Sequence, residues 1–424
     1  MRRLLAGILV AGLILLTGCG RRELIQTPNL YANGRIDPFK DCPPSARNNR
    51  VDVLYATDRL PVESKGAGQE YGFLRSPSLA YGICRVEIGE DVPWSVLAEN
   101  SRTDDRDLSL PLSVRGVDEV GRFPGTPIPF IRRGGELVED PAVLARKAQA
   151  EDAFRALVAK RLTQTPRKEA FVFVHGYNND FEDSVLVMAE LWHFLGRTGL
   201  PIVYSWPAGR GGFRGYTYDR ESGEFTILHL KEFLGLLGSC PGLERVHFLA
   251  HSRGTDVLIS AVRELIIEAR AAGKSPREIL KIADLTLAAP DLDLEVFTQR
   301  MVGERLGQGM GGVTLYVSDE DKALGLSTWL FSGLQRVGRV TFEDLNPELR
   351  KRLEQNHGAA VIDARVRSGF IGHSYFYSNP AVSSDLILMM RYGRAPGAEN
   401  GRPLVPVGPN FWEIDKGYPY RNRD

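Results

Sequence analysis

The stretch Val246-His247-Phe248-Leu249-Ala250-His251-Ser252-Arg253-Gly254-Thr255 passes from one periodicity to another within ten residues. Mostly apolar, strand-forming residues run into a small residue, a histidine, a serine, one further residue and a glycine. An amphipathic helical stripe then follows at Val257, Leu258, Ala261, Val262, Leu265 and Ile266. The pattern predicts a strand, a sharp turn and a helix. A turn of this kind lifts a serine hydroxyl above the carboxyl end of a sheet in strained backbone geometry, and small flanking residues let strand and helix pass close together. The first small residue is Ala250, where glycine is usual. Taken alone, the stretch also fits a buried strand followed by a serine helix cap, so the rest of the chain must decide.

A second stretch, Ala170-Phe171-Val172-Phe173-Val174-His175-Gly176-Tyr177-Asn178, opens with an unbroken apolar run that suits a central parallel strand buried on both faces. Asp180 follows as an N-cap, with Phe181, Val185, Met188, Trp192 and Leu195 at helical spacing. Further strands are expected at Ile202–Trp206, Ile282–Ala289, Val313–Val317 and Ala360–Asp363, and outer strands at Val51–Tyr55 and Gly82–Ile88. Helices are expected over Pro141–Leu162, Leu294–Leu306 and Ser384–Tyr392, and loops over the glycine- and proline-rich Gly116–Gly135. This alternation predicts an α/β protein, a mostly parallel central sheet with helices on both faces. The serine turn and the His-Gly after a buried strand identify it with the alpha/beta-hydrolase fold, in which the His-Gly begins an oxyanion loop. The backbone N–H groups of Tyr177 and Arg253 are then the expected oxyanion donors. His175 is read as a support for that loop and not as the base. The glycines of Gly209–Gly215 lack the Lys-Ser/Thr of a phosphate loop, and those of Gly307–Gly312 precede a strand instead of following one. No cofactor or metal is expected.

Serine is a poor nucleophile at neutral pH: an imidazole must take its proton, and a carboxylate must fix that imidazole's tautomer. The order serine, aspartate, histidine in this fold directs attention downstream of Ser252. His373, in a loop after the last core strand, is preferred over His357. The acid is expected after a late strand, which leaves Asp321 as first choice, Asp291 second and Asp319 third.

The chain resembles the bacterial alpha/beta-hydrolase family known as domain of unknown function nine hundred. The resemblance is carried by Tyr55-Ala56-Thr57-Asp58-Arg59, Phe173–Asn178, Ser205-Trp206-Pro207, Ala250–Gly254, Ala289-Pro290-Asp291, Leu315–Ser318, Asp321–Leu324 and Gly372-His373-Ser374, in the family's order. It implies a serine hydrolase and leaves the substrate open. Arg253 stands where the family often has methionine, and pairing with Asp180, Asp256 or Asp291 is expected for it.

The amino terminus reads differently. A basic Met1-Arg2-Arg3, an apolar Leu4–Leu16 too short for a stable span, and Leu16-Thr17-Gly18-Cys19 resemble a lipoprotein signal, with lipid attached to Cys19. Residues 1–18 are then the signal, 19–50 a proline-broken tether, 51–395 the hydrolase domain and 396–424 a C-terminal extension. The expected location is the bacterial envelope, on the outer membrane facing the periplasm. Of the 4 cysteines three remain, and Cys42 with Cys84 is the expected disulfide. With 53 basic and 53 acidic residues the chain shows no electrostatic footprint for nucleic acid. Two functions stay open: a hydrolase acting on a small-molecule or lipid ester or thioester, and a catalytically silent envelope lipoprotein that keeps the fold as an interaction surface.

Overall fold

A computed structural model describes residues 22–63, 68–211, 213–319, 321, 324, 335–355, 358–365 and 373–420. The strands are β1 (Arg50–Val62), β2 (Glu70–Ile88), β3 (Leu112–Arg122), β4 (Phe130–Arg133), β5 (Glu136–Glu139), β6 (Glu169–Val174), β7 (Leu200–Ser205), β8 (Arg245–His251), β9 (Ile282–Ala288), β10 (Gly312–Val317), β11 (Ala359–Ala364), β12 (Val405–Gly408) and β13 (Phe411–Ile414). Apart from the β4–β5 hairpin they form one sheet in the order β12-β13-β11-β10-β9-β8-β6-β7-β1-β2-β3. From β13 to β1 neighbouring strands run parallel, and antiparallel pairs occur only at the two margins.

Alternate residues of the central strands feed two cores. Phe171, Phe173, Val203 and Leu249 face α2 (Phe181–Phe194) and α5 (Pro380–Met390). Ala170, Val172, Val174, Phe248 and Ala250 face α1 (Pro141–Leu162), α3 (Phe213–Gly238) and α4 (Gly254–Ala271). Each strand thus supplies both layers through its period of two, which is why β6 reads as a continuous apolar run. The chain leaves β6 through α2 to β7 on one side, then returns through α3 to β8 on the other side of β6. Connections diverge there, and the loops after β6 and β8 open a crevice at the carboxyl edge of the sheet.

Several expectations need correction. Residues 22–50 are not a tether: Leu24, Leu30 and Tyr31 are buried, and Tyr31 Oη donates to the Phe194 carbonyl at 3.0 Å. Their apolar side chains are too few and too scattered for any periodicity, yet they cover α2 and α5. Gly116–Gly135 is largely strand. Gly116 and Gly121 leave room for Arg85 and Tyr81 of the neighbouring β2, and Gly134-Gly135, at φ 62° and 89°, makes the two-residue turn of the β4–β5 hairpin. Helix Leu294–Leu306 breaks after Phe297 into π-helical turns over Thr298–Gly303 and a 3₁₀ turn at Leu306–Gly309, with Arg305 left-handed at φ 54°. Residues 396–420 are no appendage, since β13 extends the main sheet beside β11. Cys42, Cys84 and Cys240 are free and buried. Cys84 belongs to the main core and Cys42 to a separate small cluster with Phe39 and Ala98, so the expected disulfide is absent. Cys19 lies outside the described residues.

Candidate active site

Ser252 follows the last residue of β8 with φ 51°, a left-handed conformation that a serine adopts only when its surroundings impose it. Its N–H donates to the Ala288 carbonyl at 3.0 Å, and its carbonyl accepts from Thr255 Oγ1 at 2.6 Å, so the turn is clamped between β9 and the first turn of α4. Two glycines allow the crowding. A Cβ on Gly176 would lie 2.8 Å from the Ser252 Cβ, and one on Gly254 would run into the His175 carbonyl oxygen. The loop after β6 and the serine turn therefore pack backbone against backbone, and Ser252 is 4% exposed.

His373 Nδ1 donates to Asp321 Oδ2 at 2.7 Å, and Asp321 is buried. Burial pulls the His373 imidazole's pKa down, but the charge and hydrogen bond of Asp321 outweigh it and the net shift is upward. The other Asp321 oxygen accepts from the Leu324 N–H at 3.0 Å. His251, directly before the serine, donates from Nε2 to the His373 carbonyl at 3.0 Å, and its ring lies 4.6 Å from both the His373 and Phe376 rings. Burial holds His251 well below the usual histidine range, so it is a neutral strut under His373. Of the other acid candidates, Asp291 accepts from Tyr216 Oη at 2.8 Å and lies 3.4 Å from Arg336 Nε, while Asp319 is exposed. His357 lies outside the described residues.

The loop after β6 is fixed by residues distant from it in sequence. Arg59, fully buried at the end of β1, donates to the Asn179 carbonyl at 2.9 Å, the Ala208 carbonyl at 2.7 Å and Ser205 Oγ at 2.9 Å. Its Nη2 also lies 3.3 Å from His175 Nε2. Burial lowers its pKa to about 10, which still leaves it charged. Asp219 of α3 accepts from the Asn178 N–H at 3.0 Å and the Gly209 N–H at 3.3 Å. His175 stacks on Trp206 with rings 5.1 Å apart, and Trp206 Nε1 donates to the His175 carbonyl at 2.7 Å. Burial and the adjacent Arg59 keep His175 neutral, and it faces this buttress. Tyr177 is half-buried, its ring 5.3 Å from that of Tyr216. The Arg253 side chain pairs with Asp256 at 2.8 Å, one of the three partners expected for it.

Beside the site, the segment Arg336–Val340 crosses the loops after β9 and β10: Val337 N–H donates to Leu292 and Gly338 N–H to Pro290. Beneath it lies an apolar cavity of about 120 Å³ bordered by Leu294, Phe297, Met301, Val337, Val340 and Phe411. Among the described residues no group of three or more His, Cys, Asp or Glu could hold a metal ion.

A mostly parallel sheet flanked by helices, with a strained serine turn beside an oxyanion-type loop at its switch point, defines an alpha/beta hydrolase domain. The chain belongs to the family described as alpha/beta hydrolase of unknown function (DUF900), whose profile matches residues 150–391, more than half of its length. No curated protein matches the sequence. Among solved structures, it is similar to a lipase-esterase related protein from Clostridium acetobutylicum, at 8% identity and a TM-score of 0.27 over 52% of this chain and 94% of that one. It is also similar to an esterase from Pyrobaculum calidifontis, at 13% identity and a TM-score of 0.27 over 53% and 76% of the two chains.

Proposed function

We propose that the protein is a serine hydrolase that cleaves a carboxylic ester or thioester through an acyl-Ser252 intermediate. The observation that carries this reading is the 2.7 Å hydrogen bond from His373 Nδ1 to buried Asp321, in a loop that His251 ties to the serine turn. In the reaction, Ser252 Oγ attacks the acyl carbon while its proton passes to His373 Nε2. The carbonyl oxygen becomes an oxyanion facing the N–H groups of Tyr177 and Arg253. The bond to the leaving alkoxide or thiolate breaks as His373 returns the proton to it, and water, activated by the same imidazole, releases the acid and frees Ser252.

Labelling by a fluorophosphonate probe, with Ser252→Ala as control, tests the assignment. Labelling is expected in the wild type and absent in the variant, which keeps its fold because its hydroxyl carries chemistry and little packing. An unlabelled wild-type protein would favour the silent-scaffold alternative. We also propose that Cys19 carries lipid and anchors the protein to the bacterial envelope, on the outer membrane facing the periplasm. Metabolic labelling with a fatty acid should mark the wild type and not Cys19→Ser.

A further inference from the structure

The first described residues limit how far the domain can stand from a lipid on Cys19. Arg22 donates from Nε and Nη2 to buried Glu190 Oε2 at 3.0 and 2.8 Å, and the Ile25 N–H donates to Glu190 Oε1 at 3.1 Å. The Arg22 guanidinium lies 5.2 Å from the Tyr377 ring centroid. From Tyr377, ring contacts lead through Phe376 at 4.8 Å and His251 at 4.6 Å to His373 at 4.6 Å. Arg22 is therefore pinned on the flank of the site. Three peptide units join Cys19 to Arg22, a reach of at most about 11 Å at full extension. An anchor at Cys19 leaves no slack with which to lift this flank off the bilayer.

An independent feature points the same way. Beyond its pairing with β7, β1 continues with β2 as a two-stranded ribbon, with Arg59 opposite Arg75, Pro61 opposite Tyr71 and Val62 opposite Glu70, whose tip folds back onto β3 through the Gln69 N–H, which donates to the Val117 carbonyl at 3.0 Å. β1 is parallel to β7, β7 to β6 and β6 to β8, so the ribbon leaves the sheet at the end where Ser252 sits. Its outer residues Leu60, Val62, Phe73 and Leu74 are 38%, 43%, 39% and 47% exposed. Next to them the Tyr218 ring lies 5.3 Å from the Arg75 guanidinium and 5.2 Å from that of Arg210, bordering an open groove of about 770 Å³. Adjacent apolar side chains, an aromatic ring with a polar tip and guanidinium groups suit the boundary between acyl chains and anionic headgroups.

We propose that the end of the sheet bearing Ser252 faces the bilayer, with the ribbon seated among the headgroups, and that the ester cleaved is an acyl ester of a membrane lipid. This rests on the two readings above, Ser252 as nucleophile and Cys19 as anchor. The substrate then reaches the site from the membrane surface, and the ribbon is its docking edge.

The test uses the lipidated full chain in vesicles of phosphatidylcholine and phosphatidylglycerol with brominated acyl chains. The three described native thiols are buried, so bimane can be placed at Leu74→Cys, or at Glu244→Cys at the opposite end of the sheet. Strong quenching at 74 and none at 244 is expected; no quenching at 74, or equal quenching at both, overturns the orientation. In the same vesicles, the Phe73→Ser/Leu74→Ser double variant should hydrolyse a fluorogenic phospholipid at least tenfold more slowly than wild type. Its rate on soluble p-nitrophenyl butyrate should be unchanged. Wild-type protein that cleaves the soluble ester but not the phospholipid overturns the lipid substrate and leaves the hydrolase reading standing. If neither ester is cleaved and Ser252 stays unlabelled, the hydrolase reading fails together with the lipid substrate, and the quenching result still decides the orientation.

Discussion

Three aspartates, Asp291, Asp319 and Asp321, follow late strands of the sheet downstream of Ser252, and their surroundings separate them. Asp321 accepts from His373 itself; Asp291 is engaged by Tyr216 and Arg336. Asp321→Asn should lower kcat by about 10⁴-fold, the scale seen when a histidine is left in the wrong tautomer, whereas Asp291→Asn should cost far less. Steady-state kinetics on a soluble ester gives the ranking, and the reverse order would transfer the role to Asp291. The same pair sets the pH response. The base must be neutral to accept a proton, so kcat/KM should rise through an apparent pKa above the ordinary 6.5, because Asp321 favours the imidazolium against the opposing effect of burial. In a variant that retains measurable activity without the Asp321 charge, that limb should move to lower pH. At the thiols, burial pushes Cys84 and Cys240 up to about 12. With no disulfide among the described cysteines, a reductant should leave the thermal midpoint of the protein unshifted, and a clear drop would contradict the free-thiol structure.

At the level of the element, what can be read from sequence is what local geometry demands. The run Ala250 to Gly254 announced its turn because a serine at φ 51° beside a crossing loop tolerates few neighbours. The Asp180 cap was equally legible: its carboxylate accepts from the Asp183 N–H at 2.7 Å, and the Asp183 side chain returns to the Asp180 N–H. Gly116 and Gly121 misled for the opposite reason, since their purpose lies on another strand, in the space taken by Arg85 and Tyr81. Arg59 and Asp219 hold the loop after β6 from 120 and 41 residues away; the stretch ending in Arg59 marks the family, but nothing around either residue marks that duty. Likewise α3, the 26-residue helix that supplies Asp219, begins inside a segment whose glycines read as loop. The close approach of Gly254 to the His175 carbonyl yields a prediction of its own. Gly254→Ala should destabilise the fold by roughly 1–3 kcal/mol, the usual cost of forcing a methyl into a packed site. Chemical denaturation should detect it, and a neutral effect would mean that the two loops are not in contact.

Across the whole molecule, a buried polar knot joins the sheet to the last part of the chain. Arg402 donates from Nε to Asp385 Oδ1 at 2.8 Å and from Nη2 to Oδ2 at 2.7 Å, with Tyr316 Oη at 2.6 Å and Tyr418 Oη at 2.5 Å completing the carboxylate's shell. Arg402 and Asp385 are 1% and 0% exposed. Removing one partner strands the other charge in the core, so Arg402→Ala should cost about 3–5 kcal/mol, read as a lower denaturation midpoint. A loss below about 1 kcal/mol would show that water reaches Asp385. The same knot governs the timetable of biosynthesis. Chains are made from the amino terminus and fold as their parts emerge, yet β11, already paired with β10, acquires its second parallel neighbour only with Phe411–Ile414, and Asp385 its counter-ion only with Arg402. Until Arg402 and Phe411–Ile414 leave the ribosome, a β-edge and a buried-to-be carboxylate remain open, so the nascent polypeptide holds its sheet unfinished long after the serine turn has been made.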